Sequence, residues 1–295
     1  MTYTPRQWRT QGKTLRIKGH SIFVIDSGND EVSDKPCLLL IHGYPTSSWD
    51  WARIWPLLTA RFRVIAPDLL GFGYSEKPYP YHYLISEQAD IIEALVHQLE
   101  LAPYHVMSHD YGDTVAQELL ARQIESDSSP WLSLCLLNGG LFPETHRARP
   151  IQKLLATPLG PVLTRHMSKG VLQKSLSRVF GKETQPDDEL IEGYWEIINY
   201  NNGRRTLHKL IDYMKQRRDN RARWVEALKQ DRVPTALING AADPVSGAHM
   251  VARYKEVVGP PLMIISLENI GHYPQWEAPE QVHEGYSRFL DSALA

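Results

Sequence analysis

One stretch constrains the fold of this chain more than any other, because a strand-like run, a tight turn and a helix-like run follow one another without a break. Residues 104–107 are largely apolar, and residues 114–120 have the composition of a helix. Ser108 and Gly112 lie two residues before and two residues after Asp110. This spacing is typical of a nucleophile elbow, in which small residues let a strand and a helix pack closely around a strained turn. The alternative is an ordinary loop in which Asp110 caps the helix.

The other strand-like and helix-like segments alternate along the chain, which predicts an α/β fold. Residues 37–41 are continuously apolar, which favours a sheet covered on both faces. We predict a core domain (1–141 and 223–295) with a mostly parallel sheet and helices on both faces. Residues 142–222 contain no convincing strand, so they are predicted to form an inserted all-helical cap. The remaining predicted segments are strands at 20–26, 63–68, 131–137, 235–239 and 262–266, helices at 86–100, 248–258 and 277–293, and a polar loop at 29–35.

Two further motifs follow predicted strands and complete a catalytic pattern. Asp243 follows the strand at 235–239, and His272 follows the strand at 262–266. The order Asp110, Asp243, His272 is the nucleophile–acid–histidine order of the α/β-hydrolase triad. Taken singly, each residue also fits a turn or loop position.

A third motif predicts an oxyanion hole. Residues 42–45 read His-Gly-Tyr-Pro and lie between the strand at 37–41 and the next helix, where this fold places one backbone donor. The N–H of Tyr44 and that of Tyr111, directly after the nucleophile, are predicted to form the hole.

Several longer strings resemble known families. They are residues 39–48, 108–113, 138–147 and 272–275. The sequence resembles α/β-hydrolases of the epoxide hydrolase and haloalkane dehalogenase group over nearly its whole length. It resembles the mesoderm-specific transcript protein family more closely. That family is epoxide-hydrolase-like, and the resemblance implies no settled reaction.

The identity of the nucleophile narrows the chemistry. A carboxylate attacks a saturated carbon and forms an alkyl ester on the enzyme, whereas a serine attacks a carbonyl. His272, oriented by Asp243, would then activate water against the ester carbonyl of Asp110. Epoxides and haloalkanes are substrates for such a reaction. We therefore predict an epoxide-hydrolase-like enzyme that opens a small, mainly apolar epoxide to a diol.

The leaving group depends on the cap. The resemblance implies that Tyr213 donates a proton to the epoxide oxygen, although Tyr213 also fits a helix residue that packs on the core. Tyr194 and Tyr200 replace a second cap tyrosine by residue type only. In haloalkane dehalogenases an Asn and a Trp bind halide, and here Tyr44 and Tyr111 occupy those positions. Haloalkane dehalogenase is one alternative, and a catalytically weak hydrolase-like binding protein is the other. The predicted substrate-binding residues are His42, Pro45, Tyr194 and Tyr200.

Composition restricts the partners. The formal net charge of -2 gives no electrostatic reason to expect nucleic acid or an anionic membrane. No apolar run approaches the roughly 18 residues of a membrane span, and residues 1–6 show no secretory signal. Cys37 and Cys135 are predicted to be buried reduced thiols, which fits the cytoplasm. We expect a monomer or homodimer.

The sequence predicts no cofactor and no metal. The histidines show no metal-ligand spacing, and residues 71–73 lack the spacing of a dinucleotide-binding loop. A run of Lys and Arg at 204–223 is interpreted as a solvated face of the cap, with an anion site as the alternative. The expected partners are therefore a small apolar substrate and water.

Overall fold

The computed structural model describes residues 3–28 and 35–293. Within these residues, strands and helices alternate on both sides of a helical segment between β6 and β7. The strands are β1 (Lys13–Ile17), β2 (His20–Asp26), β3 (Cys37–Ile41), β4 (Arg63–Pro67), β5 (Tyr104–His109), β6 (Trp131–Leu137), β7 (Thr235–Gly240) and β8 (Met263–Leu267). The helices are α1 (Pro5–Gln11), α2 (Trp55–Thr59), α3 (Ile85–Gln98), α4 (Tyr111–Glu125), α5 (Pro150–Leu155), α6 (Gly160–Arg165), α7 (Lys169–Ser177), α8 (Asp188–Asn199), α9 (Leu207–Leu210), α10 (Tyr213–Asp219), α11 (Arg221–Lys229), α12 (Ala248–Val257), α13 (Pro274–Glu277) and α14 (Pro279–Ala293). Two 3₁₀ helices occupy Ser48–Trp51 and Tyr200–Thr206.

In the described part of the chain, eight strands form one sheet in the order β1-β2-β4-β3-β5-β6-β7-β8. β1 pairs with β2, and β2 with β4, in antiparallel fashion. All later pairs are parallel. The predicted mostly parallel sheet is therefore confirmed. Because parallel strands end at the same edge, the segments that follow β3, β5, β7 and β8 are brought together there.

The central strands have no exposed face. Leu38, Leu39, Leu40 and Ile41 of β3 are fully buried, as a sheet covered by helices on both sides requires. All residues of β5 are buried as well. The continuous apolar pattern of β3 therefore correctly predicted that the sheet is covered on both faces.

Between β6 and β7 the described chain is helical, in agreement with the predicted absence of strands. The helices α5 to α10 fall within residues 142–222. Helix α11, which follows them, packs against α4 of the core. The division into a core and a cap is compatible with this arrangement and stays a prediction.

The N-terminal elements α1 and β1 were not predicted. The signal for α1 was present: Thr4 and Gln7 form a capping box, with Pro5 in the first helical turn. The predicted closing helix at 277–293 is present as α14, which begins two residues later, at Pro279, after the short helix α13. Of the predicted polar loop, residues 29–34 lie outside the described residues.

Cys37 is partly buried and Cys135 is buried, and both are free thiols. Among the described residues, no helix is long and apolar enough to cross a membrane.

Candidate active site

Asp110 sits at a strained turn between β5 and α4. Its backbone has φ 46° and ψ -101°, a conformation that side-chain-bearing residues rarely adopt. Such strain costs about 1–3 kcal/mol and is typical of functional sites. Gly112 explains why the turn needs small residues, since a Cβ there would lie 2.2 Å from the carbonyl oxygen of Ile41 in β3. The strand, turn and helix predicted from the sequence are all present.

The carboxylate of Asp110 is buried and held from two directions. The backbone N–H of Tyr44 donates to Oδ2 at 3.2 Å, and Nη2 of Arg217 lies 3.6 Å from Oδ1. Burial acts to raise the pKa of Asp110, but His272 and Arg217 outweigh it and hold the pKa below its ordinary value. The group is therefore ionised near neutral pH, as a nucleophilic carboxylate must be.

His272 and Asp243 form a buried pair. Nδ1 of His272 lies 2.7 Å from Oδ2 of Asp243. Burial acts to lower the pKa of His272, but the carboxylates of Asp243 and Asp110 outweigh it and raise the pKa to about 9. The pKa of Asp243 falls to about 2, because His272 and its hydrogen-bond donors overcome the effect of burial.

Asp243 is fixed in place by donors other than the histidine. The backbone N–H of Val245 donates to Oδ1 at 2.8 Å. Oδ2 accepts from the Ser246 N–H at 3.0 Å and from Nδ2 of Asn138 at 3.1 Å. The carboxylate is thus preorganised to hold the imidazole in one orientation.

The loop that carries His272 is anchored at its backbone. Nε2 of His109 donates to the carbonyl oxygen of His272 at 2.7 Å. Burial and the nearby His272 lower the pKa of His109 to about 3, so its ring is neutral. The N–H of His272 donates to the carbonyl oxygen of Val179, beyond α7, at 2.8 Å.

A cavity of about 280 Å³ opens onto Asp110 and His272. Asp110, His272, Tyr44, Pro45 and Tyr273 are among the residues that line it. The other lining residues are Val245, Leu207 and a mostly apolar set from α5 to the end of α7: Arg149, Ile151, Gln152, Leu155, Val162, Leu163, His166, Met167, Val171, Leu172, Ser175, Leu176 and Val179.

The oxyanion-hole prediction is compatible with this geometry. The Tyr44 N–H already contacts the carboxylate. The N–H of Tyr111 is the first of helix α4, where backbone N–H groups lack intrahelical partners and attract negative charge.

Other predicted residues lie off the cavity wall. His42 is used structurally, since its Nε2 accepts from the Leu69 N–H at 3.0 Å. The Tyr200 hydroxyl accepts from Arg9 at 3.0 Å, and Tyr194 packs edge-on against Trp49. Of the residues predicted to bind substrate, the structure places only Pro45 on the wall of this cavity.

Tyr213 also lies outside the cavity lining, but it is close to the site. Its ring centroid is 5.9 Å from that of Tyr44 and 5.2 Å from that of Tyr111. The side chain is fully buried, and within the described residues its hydroxyl has no hydrogen-bond partner. Burial and the Asp110 charge raise the pKa of Tyr213 well above its ordinary value, which keeps the hydroxyl protonated.

The interpretation of the basic run as a solvated face is wrong for Arg217. This side chain is 2% exposed, and its guanidinium donates to the Asp110 carbonyl oxygen at 2.9 Å and to Oγ1 of Thr114 at 2.6 Å. It also lies over the Tyr213 ring, 4.5 Å from the centroid. A signal was available, because Tyr213 and Arg217 are four residues apart in α10 and so share one helix face.

Comparisons with known proteins agree with this fold. A model of the alpha/beta hydrolase family matches residues 38–284. The mesoderm-specific transcript homolog protein of Bos taurus is 43% identical over 293 residues, covering 97% of this chain and 87% of that protein. Haloalkane dehalogenase 2 of Mycobacterium tuberculosis is 26% identical, covering 84% and 85%. The crystal structure of a loop variant of haloalkane dehalogenase DbeA from Bradyrhizobium elkanii superposes with a TM-score of 0.80 at 21% identity, covering 96% of this chain and 97% of that one.

The family model spans most of the chain, the sheet order and the elbow are those of the same fold, and mesoderm-specific transcript proteins are among its relatives. The chain therefore belongs to the alpha/beta hydrolase family.

Proposed function

We propose that this protein hydrolyses a small, mainly apolar epoxide to a diol through a covalent ester on Asp110. One observation carries the proposal: an ionised carboxylate occupies the nucleophile elbow and opens onto the same apolar cavity as the His272–Asp243 pair. A carboxylate in this position is suited to attack a saturated carbon rather than an acyl group.

In the first step, Oδ1 of Asp110 attacks one epoxide carbon while Oδ2 stays on the Tyr44 N–H. The carbon–oxygen bond of the ring breaks, and its electron pair stays on the oxygen. That oxygen takes a proton from an acid in the site and becomes a hydroxyl. The product of this step is a hydroxyalkyl ester of Asp110.

In the second step, water attacks the carbonyl carbon of the ester. His272 takes a proton from the water, and Asp243 stabilises the imidazolium that results. Ester formation removes the Asp110 charge, one of the two carboxylates that raise the pKa of His272. The pKa of the histidine therefore falls when it has to act as a base.

The tetrahedral intermediate places negative charge on Oδ2. The N–H groups of Tyr44 and Tyr111 are the donors for this charge, and such donors are typically worth about 2.7–4 kcal/mol each. On collapse, the bond between the ester carbon and the alkyl oxygen breaks, and that oxygen takes the proton of the newly added hydroxyl, so the diol leaves and the Asp110 carboxylate is restored. The proton on His272 passes through solvent to the acid that lost its proton in the first step, which closes the cycle.

The proton for the first step is assigned to Tyr213. Its buried hydroxyl has no hydrogen-bond partner within the described residues, a feature shared with Tyr111, Tyr194 and Tyr286. Its ring packs against those of Tyr44 and Tyr111, which flank Asp110 in the site. A hydroxyl in this position is free to donate to the substrate oxygen. Tyr213 does not line the cavity and its ring packs against that of Tyr44, so this role requires side chains between Tyr213 and the cavity to shift when substrate binds. Tyr273, which lines the cavity directly, is the tyrosine to compare with it.

The decisive experiment is trapping of the ester. His272→Gln, incubated with an epoxide panel, should accumulate an adduct whose mass increase equals that of the whole epoxide. Asp110→Asn should give neither adduct nor turnover. His166→Gln is the matched control, because His166 also lines the cavity but is exposed. Normal turnover by His272→Gln would refute the mechanism.

The same assay separates the alternatives. A haloalkane panel with measurement of chloride or bromide release tests dehalogenation, in which the trapped adduct has lost the halide. Inactivity on both panels, with no adduct in His272→Gln, supports a binding protein instead.

A further inference from the structure

The cap carries a long segment without a single acidic residue. Residues 145–182 contain eight Lys and Arg and no Asp or Glu. The rest of the chain has 24 Lys and Arg against 34 Asp and Glu, a formal charge of -10. The net charge of -2 therefore hides a strong separation of charge along the molecule.

Most of these cations face solvent without an acidic partner. Arg147, Lys153, Arg165, Lys169, Lys174, Arg178 and Lys182 are exposed, and Arg149 is partly buried. Among the described residues, Lys169 is the one member with an ion pair, to Glu192. Cations gathered in one segment without acidic partners produce a local positive potential that attracts anions.

Large apolar side chains are exposed in the same segment. They are Leu154 (40%), Leu159 (59%), Val162 (57%) and Val171 (37%). In the described chain eight large hydrophobic residues are exposed, and these four lie within residues 154–171. Exposed apolar residues gathered in this way mark a contact surface rather than ordinary surface scatter.

The charged and apolar groups meet at the mouth of the substrate cavity. Val162 and Val171 line that cavity although they are exposed. Arg149, Lys174 and Arg178 line a smaller depression between α5 and α7. Arg149 and Val171 line both the cavity and the depression, so cations and exposed apolar side chains adjoin at α5 and α7.

We propose that this surface, the basic cap face (residues 145–182), docks on an anionic lipid bilayer. Its cations would bind the acidic headgroups, and its exposed Leu and Val side chains would enter the boundary between headgroups and acyl chains. A nucleic acid would use the cations but would leave the apolar side chains in water, so the bilayer is the better fit. Docked in this way, the cavity opens towards the lipid, from which an apolar molecule can enter without crossing water.

The test is vesicle co-sedimentation of the full chain. Vesicles of phosphatidylcholine with about one third phosphatidylglycerol should bind the protein at least about tenfold more tightly than phosphatidylcholine alone. Raising the salt from about 0.1 M to about 0.5 M should weaken this binding. Equal binding to neutral and anionic vesicles, or no binding to either, overturns the proposal.

Two variants separate the contributions of charge and apolar contact. Lys153→Glu/Lys174→Glu should lower the affinity for anionic vesicles by about tenfold or more. Leu159→Ser/Val162→Ser should also weaken binding, with the positive charge intact. The control Lys13→Glu/Lys255→Glu makes the same charge change at exposed positions outside the cap and should bind like the wild type.

The outcomes discriminate between partners. Equal loss in the cap variant and the control shows a response to net charge alone and overturns the assignment to this face. Binding of double-stranded or single-stranded nucleic acid, with no binding to vesicles, also overturns it. Circular dichroism of each variant establishes that the fold is retained. If one double variant does not fold, the other is sufficient to test whether the basic cap face binds vesicles.

Discussion

Arg217 of helix α10 reaches the backbone of Asp110: its Nη2 donates to the Asp110 carbonyl oxygen at 2.9 Å and lies 3.6 Å from Oδ1 of the side chain. Helix α10 thus supports the strained turn mechanically and the carboxylate electrostatically. The helical segment between β6 and β7 therefore contributes directly to the surroundings of Asp110.

Replacing Arg217 should affect both stability and pH dependence. Arg217→Met leaves the Asp110 carboxylate buried with one fewer cation, so we expect a loss of about 3 kcal/mol in the free energy of unfolding. The pKa of Asp110 should rise, which moves the acidic limb of the pH–rate profile to higher pH. Urea denaturation and kcat/KM from pH 4 to about 8 measure the two effects. Arg218→Met, at the exposed neighbouring position, should change stability by about 0.5 kcal/mol or less.

The His272–Asp243 pair should give stability a defined pH dependence. The pKa of His272 is raised to about 9 in the fold, compared with roughly 6.5 in the unfolded chain. The resulting contribution to the free energy of unfolding is fully present below about pH 6.5 and is lost as the pH rises towards 9. The pKa of Asp243 is lowered to about 2, compared with roughly 3.9 in the unfolded chain. Its contribution to the free energy of unfolding is fully present above about pH 3.9 and is lost as the pH falls towards 2. The wild type should therefore lose on the order of 3 kcal/mol from His272 between pH 6.5 and 9.

In Asp243→Asn the free energy of unfolding should change less between about pH 6.5 and 9, because the amide no longer holds a proton on the imidazole of His272. Denaturation at three pH values between about 6 and 9 measures it. Asp188→Asn, which changes an exposed cap carboxylate, should keep the wild-type slope. Identical slopes in wild type and Asp243→Asn would contradict the predicted coupling.

Alanine variants are usually more stable than glycine variants, and the strained backbone at Asp110 should reverse this order. Both Asp110→Gly and Asp110→Ala remove the carboxylate, but glycine adopts φ 46° and ψ -101° without strain. We expect the Gly variant to be about 1–2 kcal/mol more stable than the Ala variant. At Glu226, an exposed residue of α11, the Ala variant should instead be more stable than the Gly variant by about 1 kcal/mol. Thermal denaturation of the four proteins decides the point.

Gly112 should tolerate no side chain. A Cβ there would lie 2.2 Å from the Ile41 carbonyl oxygen and 2.8 Å from that of His42, which are backbone atoms of the neighbouring strand and turn. Gly112→Ala should cost about 2 kcal/mol or more and disturb the elbow. Gly170→Ala in α7, where the nearest atom is 3.9 Å away, should be neutral or stabilising by about 0.4–1 kcal/mol. If Gly112→Ala is as stable and as active as the wild type, the backbone atoms around Gly112 can move apart, and the prediction is wrong.

Tyr213→Phe should separate catalysis from stability. The hydroxyl has no partner to lose among the described residues, so the free energy of unfolding should stay equal or rise, whereas turnover of epoxides should fall by roughly 10²–10⁴. Tyr273→Phe is the comparison, measured in the same assay. Loss of activity in Tyr273→Phe, with Tyr213→Phe active, would move the proton donor to Tyr273.

The sequence alone identified the central sheet, the helical character of residues 142–222 and the order of the three triad positions. It could do so because buried parallel strands are continuously apolar and the turn at Asp110 requires small neighbours at Ser108 and Gly112. These are local signals, visible within about ten residues of the chain. Asp110, His272 and Asp243 as catalytic groups stay predictions until the trapping experiment is done.

The tertiary structure decided what lies around those residues. The basic run favours a solvated Arg217. Its spacing from Tyr213 indicates a shared helix face, but it does not indicate the carbonyl oxygen of Asp110, 107 residues away in the sequence, that Arg217 reaches. Tyr194, Tyr200 and His42 were predicted at the substrate, but their partners are Trp49, Arg9 and the Leu69 N–H, all distant in sequence. Residue types and their order fix the potential chemistry locally, whereas burial, charge neighbours and the shape of the cavity arise from contacts between segments that only the folded chain brings together.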